Sequence, residues 1–163
     1  MRSALARGCE AALATLTRLA WLGPLAVRLF FGYFWLETGW AKLHNLDGAT
    51  ARFVDWGLPF PAFSAPFSAG AEFLGGALLM LGLLTRFTSI AMAINMIVAI
   101  AFVAIKNVGG FDEFVELDEF VYVLIFFWLL IAGPGRASVD TWLARRLGIA
   151  TPVTVMPDGT ARG

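Results

Sequence analysis

The stretch from Arg28 to Leu43, RLFFGYFWLETGWAKL, is apolar over the length of a helix and nevertheless carries Arg28, Glu37 and Lys42. A charge near a bilayer centre costs roughly 2.5 to 3.5 kcal/mol on insertion scales. Something must offset that cost, and the groups able to do so lie in the other apolar segments: Glu72, Asn95, Asp118, Glu119 and Tyr122. The pattern predicts an all-α fold, an integral four-helix transmembrane bundle with a polar site inside it.

Composition agrees. A chain of 163 residues has room for one domain, and 59% hydrophobic residues with a mean hydropathy of +0.76 is too apolar for a soluble core of that size. Its 15 Phe and 6 Trp suit lipid-facing rings and interfacial anchors. Net charge is zero and no basic run occurs, which argues against nucleic acid as a partner. One cysteine, Cys9, and one histidine, His44, exclude an internal disulfide, a CxxC redox pair and a Cys/His metal cage within one chain, so no metal site is expected. Cys9 reads as a small residue on an N-terminal helix.

Residues 1–20 place Arg2, Arg7 and Arg18 among Ala and Leu at helical spacing, and Glu10 with Arg18 breaks the apolar run that a secretory signal needs. They read as an uncleaved cytoplasmic or interfacial helix. Residues 21–135 form the membrane domain. Its first span runs from Pro24 to Leu43, about 20 residues, enough for a hydrocarbon core of roughly 30 Å. A short interfacial helix follows, with Asp47 as N-cap, Ala49–Trp56 as body and Gly57 as stop. Pro66–Leu84 is the second span, in which Ala71 and Gly75 make a small-xxx-small pair, and Thr85 and Arg86 turn the chain. The third span, Phe87–Ile105, carries Ala91, Asn95 and Ala99 on one stripe, read as its packing face. The fourth runs from Leu117 to Gly133 after an acidic loop. Residues 136–163 form a cytoplasmic amphipathic helix capped by Ser138 and a tail, expected to fray from Thr151.

On this four-span scheme Arg2, Arg7, Arg18, Arg86, Arg136, Arg145, Arg146 and Arg162 fall on one side, and Lys42, Arg52 and Lys106 on the other. The excess of positive charge predicts that both termini are cytoplasmic. Glu37, Lys42, Glu72, Asp118 and Glu119 then lie in the outer half or at its border, with Arg28 and Asn95 deeper or toward the cytoplasm. Lys42 and Glu72 come level and are expected to pair. Glu37 and His44, seven residues apart, share a different face from Arg28, Trp35 and Lys42, so Lys42 cannot neutralise Glu37 within the helix. The predicted intramembrane polar cluster is therefore Glu37, Lys42, His44, Glu72, Asp118, Glu119 and Tyr122, with Arg28 and Asn95 as further buried polar groups. Glu37 is the candidate for catalytic or proton-handling work. The plainer alternative is that these groups only fix helix register, and that His44 is an interfacial polar residue.

Gly39, Lys42 and Leu43, then Glu72 ahead of Gly75 and Gly76, the run LMLGLLTR at Leu79–Arg86, and GPGRASVD at Gly133–Asp140 occur in an order that resembles the DoxX family. The resemblance covers roughly Leu22 to Asp140. It implies a four-helix bacterial inner-membrane protein, some of whose relatives serve as membrane subunits of quinone-linked sulfur oxidation or oxidative-stress complexes. It points at Lys42, Glu72, Ser138 and Asp140 as motif positions without assigning them a catalytic role. The expected function is an accessory or quinone-facing membrane subunit of a redox complex, an oxidoreductase subunit if an enzyme at all, in contact with the bilayer and with a redox protein or a second copy of itself. The alternatives are a small proton-coupled transporter and a structural assembly factor.

Overall fold

The computed structural model describes residues 4–149, and among them every regular element is helical. In chain order these are α1 (Ala4–Leu19), α2 (Leu22–His44), α3 (Leu46–Asp55), α4 (Pro61–Leu81), α5 (Thr85–Phe102), α6 (Phe111–Val115), α7 (Asp118–Ala132) and α8 (Val139–Arg146), with a 3₁₀ turn at Ala104–Asn107. Arg2 and Arg162 of the charge count, and the tail expected to fray from Thr151, lie outside the described residues.

The outside of the fold is apolar like its core, and a few polar groups are buried within it. Phe30 and Phe87 expose 77% and 73% of their surface, whereas Arg28, Glu72, Thr85 and Ser89 are buried. Such an arrangement is stable where the surrounding solvent is lipid and polar groups must find partners inside. Two helices, Pro61–Leu81 and Thr85–Asn107, are each long and apolar enough to cross a membrane, and α1 with α2, joined at a bend of 42°, add a third if the bent pair counts as one span. With 15 residues, α7 covers only about 22 Å, against roughly 30 Å of hydrocarbon.

One buried cluster draws residues from four helices: Trp35 of α2, Leu79 of α4, Met92 and Met96 of α5, and Phe126 and Leu129 of α7. Glycine sets how closely the helices approach. A Cβ on Gly39 would lie 2.3 Å from the Phe73 amide nitrogen, and one on Gly76 would lie 2.3 Å from that of Leu36, so α2 and α4 touch backbone to backbone. The neighbouring Gly75 turns the other way, where a Cβ would meet Met92 Sδ at 2.7 Å. Adjacent glycines thus serve α4's two different partners.

Several boundaries differ from the sequence expectation for local reasons. Asn45, not Asp47, caps α3, its side chain accepting from the Gly48 amide at 3.0 Å; a Cβ at Gly48 would obstruct it. Helix α4 begins at Pro61, with Phe60 left-handed at φ 49°, and absorbs Pro66 in its second turn. The turn to α5 lies at Gly82–Leu84 rather than Thr85–Arg86, using Gly82 at φ 65° and Leu84 at φ 51°. The packing face of α5 is Thr85, Thr88, Ser89, Met92 and Met96, whereas Ala91 is exposed. Flexible methionine fills the space left by Gly75, and of the expected stripe it is Asn95 that reaches α4, through Ser68 and Glu72. Ser138 does cap α8, accepting from the Thr141 amide at 3.1 Å.

The first turn of α8 and the residues just before it close one end of the molecule. Asp140 accepts from the Leu84 amide at 2.7 Å and the Thr85 amide at 2.9 Å, satisfying donors that the start of α5 leaves open, and its own amide donates to the Gly82 carbonyl. Arg28, buried in α2, donates through Nη2 to the Ala137 carbonyl and packs against Gly82, where any side chain would collide with its guanidinium. At the opposite end α3, Leu58 and Ala65 form a smaller apolar cluster, and Lys106 reaches across to the Trp56 carbonyl at 2.6 Å.

Candidate functional site

Close approach of α2 and α4 at Gly39 brings Lys42, in the last turn of α2, against the middle of α4. Lys42 Nζ stands 2.6 Å from Glu72 Oε1. The same oxygen lies 3.2 Å from Ser68 Oγ, one turn earlier on α4, and accepts from Asn95 Nδ2 of α5 at 3.1 Å. Ser68 Oγ is also 2.9 Å from Asn95 Oδ1. A hydroxyl has one proton to give, so Ser68 serves either Glu72 or Asn95 at a given moment. The four side chains tie three helices together at one point.

Burial is unequal across the pair. The side chain of Lys42 keeps 22% of its surface accessible and that of Glu72 only 2%. Glu72 Oε2 is buried with no hydrogen-bond partner, and so is Trp35 Nε1 in the adjoining core. A carboxylate has room for about four hydrogen bonds, and here every donor converges on one oxygen. The other oxygen is an unused acceptor in an enclosed site. Such an atom is costly to leave open and is available to a proton or to a donor from outside the chain.

The remaining residues of the predicted cluster are placed elsewhere. Glu37 is exposed on the outside of α2 and has no hydrogen bond or ion pair among the described residues, because the buried face of that helix is Arg28, Gly32, Trp35 and Gly39. His44 is exposed; its Nδ1 lies 2.9 Å from the Trp40 carbonyl and its ring sits 3.9 Å from the Trp40 ring. Asp118 and Glu119 occupy the first turn of α7, where the helix dipole favours their charge. Tyr122 packs its ring among Phe31, Phe34 and Trp35. Asn95 joins Lys42 and Glu72, and Arg28 belongs to the separate tie with Ala137 and Gly82. Ser68 was missed by sequence reasoning, although its spacing of four from Glu72 puts both on one helical face.

The DoxX family model matches residues 23–105. An uncharacterized membrane protein of Mycobacterium tuberculosis is 30% identical over 134 residues, covering 75% of this chain and 82% of that protein. CatD of Bacillus subtilis, which bears a provisional oxidoreductase name, is 32% identical over 64% of this chain and 72% of its own length. The inner membrane protein YqjF of Escherichia coli is 27% identical over 77% of this chain and 95% of its own length. No solved structure matches the chain.

Proposed function

The chain belongs to the DoxX family of membrane proteins, and from that premise we propose that it is a four-span inner-membrane subunit of a redox complex, handling a proton or a quinone head group at Glu72. The observation that carries this reading is the buried Glu72 carboxylate with one oxygen saturated and the other free. The provisional oxidoreductase name of CatD supports the redox part by similarity. With one cysteine and one histidine, the chain has no dithiol of its own, so in this reading electrons pass through groups on a partner protein.

The orphaned atoms fit the two redox forms of such a head group in kind, since Trp35 Nε1 is a free donor for a quinone carbonyl and Glu72 Oε2 a free acceptor for a quinol hydroxyl. A quinone would supply a two-electron, two-proton couple. Glu72 would hold the proton, Lys42 would fix the carboxylate in place, and Asn95 and Ser68 would keep its first oxygen occupied. Glu37, on the outside of α2, fits better as a contact to a partner or a second copy of the chain. Purification of the full chain in mild detergent tests the reading. The expected result is a stoichiometric quinone in the extract together with a co-purifying redox protein, the quinone being lost in Glu72→Gln. A chain that purifies alone and without quinone overturns it.

In the same reading the spans are α2, α4, α5 and α7, with both termini cytoplasmic and the loops carrying α3 and α6 outside. The charge distribution supports this orientation, because Arg18, Arg86, Arg136 and Arg145 gather at one end of the fold while Lys106 reaches Trp56 at the other. Reporter fusions after Asp112 and after Gly148 are expected to report opposite compartments. The same compartment for both would remove the even number of spans.

A further inference from the structure

A cavity of about 790 Å³ lies away from Glu72, where the junction of α1 and α2, the start of α5, the end of α7 and the side of α8 converge. Four arginines line it: Arg18, Arg86, Arg136 and Arg145. All four are exposed, and none has an ion-pair partner among the described residues. Arg86 makes only a long contact, 3.5 Å, to the Ile131 carbonyl at the end of α7. The single carboxylate in the lining is Asp140, and both of its oxygens are already taken by the amides of Leu84 and Thr85. The cavity therefore holds a surplus of positive charge that the chain does not neutralise.

Its walls are of a second kind as well. Trp21, Phe87 and Trp128 line the same space, and Phe87 and Trp128 are exposed on neighbouring helices, α5 and α7, on the apolar outside of the fold. Unpaired guanidinium groups beside aromatic rings, at the end of helices that cross a membrane, match a ligand with an anionic head and apolar chains. Arginine's planar fork suits a phosphate oxygen pair, and indole rings settle at the depth where head group meets hydrocarbon.

We propose that this cavity binds the phosphodiester head group of an anionic membrane phospholipid, with its acyl chains running along Phe87 and Trp128 between α5 and α7. The inference needs only that the chain lies in a bilayer, and it stands apart from the redox reading of Glu72. A bound lipid would bridge α1, α5, α7 and α8 at this end of the fold. It would act as a removable part of the fold.

The test compares the full chain in nanodiscs of phosphatidylglycerol with the chain in nanodiscs of phosphatidylcholine, and measures co-purifying lipid by mass spectrometry after detergent extraction. Phosphatidylglycerol is expected to be retained selectively and to raise the melting temperature. Removing Arg86, Arg136 and Arg145 together as glutamines should weaken retention roughly fivefold per arginine, about a hundredfold in all. Arg145→Gln alone, on the exposed face of α8, gives the same reading where the triple variant does not fold. Arg146→Gln, outside the cavity, controls for general attraction to an anionic surface and should leave retention unchanged. Equal retention of the two lipids, or equal loss in Arg146→Gln and Arg145→Gln, would overturn the proposal. So would full stabilisation by inorganic phosphate in phosphatidylcholine nanodiscs, which would mark the cavity as a soluble-anion site.

Discussion

Lys42→Met is expected to destabilise the solubilised protein by about 3 to 5 kcal/mol, the usual cost of stripping the partner from a buried charge. Glu72 is 1% exposed and cannot turn toward water, and Ser68 and Asn95 offer it only neutral donors once the ammonium is gone. Glu72→Gln should cost less, because Lys42 is partly accessible and its long stem can carry the ammonium toward the interface. The double variant should be milder than the two single losses added together. Unfolding of all four proteins in mixed micelles supplies the double-mutant cycle. Additive losses would show that the 2.6 Å contact contributes no coupling. The asymmetry between the single variants is the sharper signature, since a bridge between two equally exposed residues would give equal losses.

A comparable loss is expected from a single methyl group. Gly39→Ala would place its Cβ 2.3 Å from the Phe73 nitrogen, 2.7 Å from the Phe73 Cα and 2.8 Å from the Ala69 carbonyl oxygen. All three atoms are backbone, so no rotamer relieves the clash and α4 must move as a body. Overpacking a core typically costs 1 to 3 kcal/mol, and a clash with a helix backbone should reach about 3 kcal/mol or more. Displacing α4 would also carry Glu72 away from Lys42, so the variant should lose stability and the ion pair together. Gly70→Ala is the control. A Cβ there meets nothing within 4 Å, and replacing a helical glycine by alanine should stabilise by about 0.5 to 1 kcal/mol. If both variants unfold alike, glycine matters here for some reason other than close approach.

The positions of the long helices and the meeting of Lys42 with Glu72 were legible because they depend on apolar length and on depth, both of which follow from counting residues. Glu37 shows where counting stops. Its charge within an apolar stretch draws attention, but charge does not say which side of a helix faces a neighbour. That information sat in the spacing of Arg28, Gly32, Trp35 and Gly39, at intervals of four, three and four, which marks the buried side of α2. Glycine was the informative residue there. On α5 the reverse happened, because Ala91 of the expected stripe lies exposed while Met92 and Met96 do the filling and Asn95 reaches α4 by hydrogen bonds. The cap by Asp140 was hidden for a different reason. It joins residues 55 and 56 positions apart, and no local pattern announces such a contact.

That long-range cap bears on how the chain is made. A nascent chain emerges from its first residue onward, so Lys42 can meet Glu72 as soon as α4 has left the ribosome. Arg28 and the opening amides of α5 have no such early partner, because Ala137 and Asp140 are translated long after them. Until then the insertion machinery, lipid head groups or water must shelter a buried cation and a bare helix start. Synthesis thus leaves one end of the molecule settled early and the other unfinished until nearly all of the described chain exists, and a ribosome stalled before Ala137 would release a protein whose glutamate is locked and whose arginine is not.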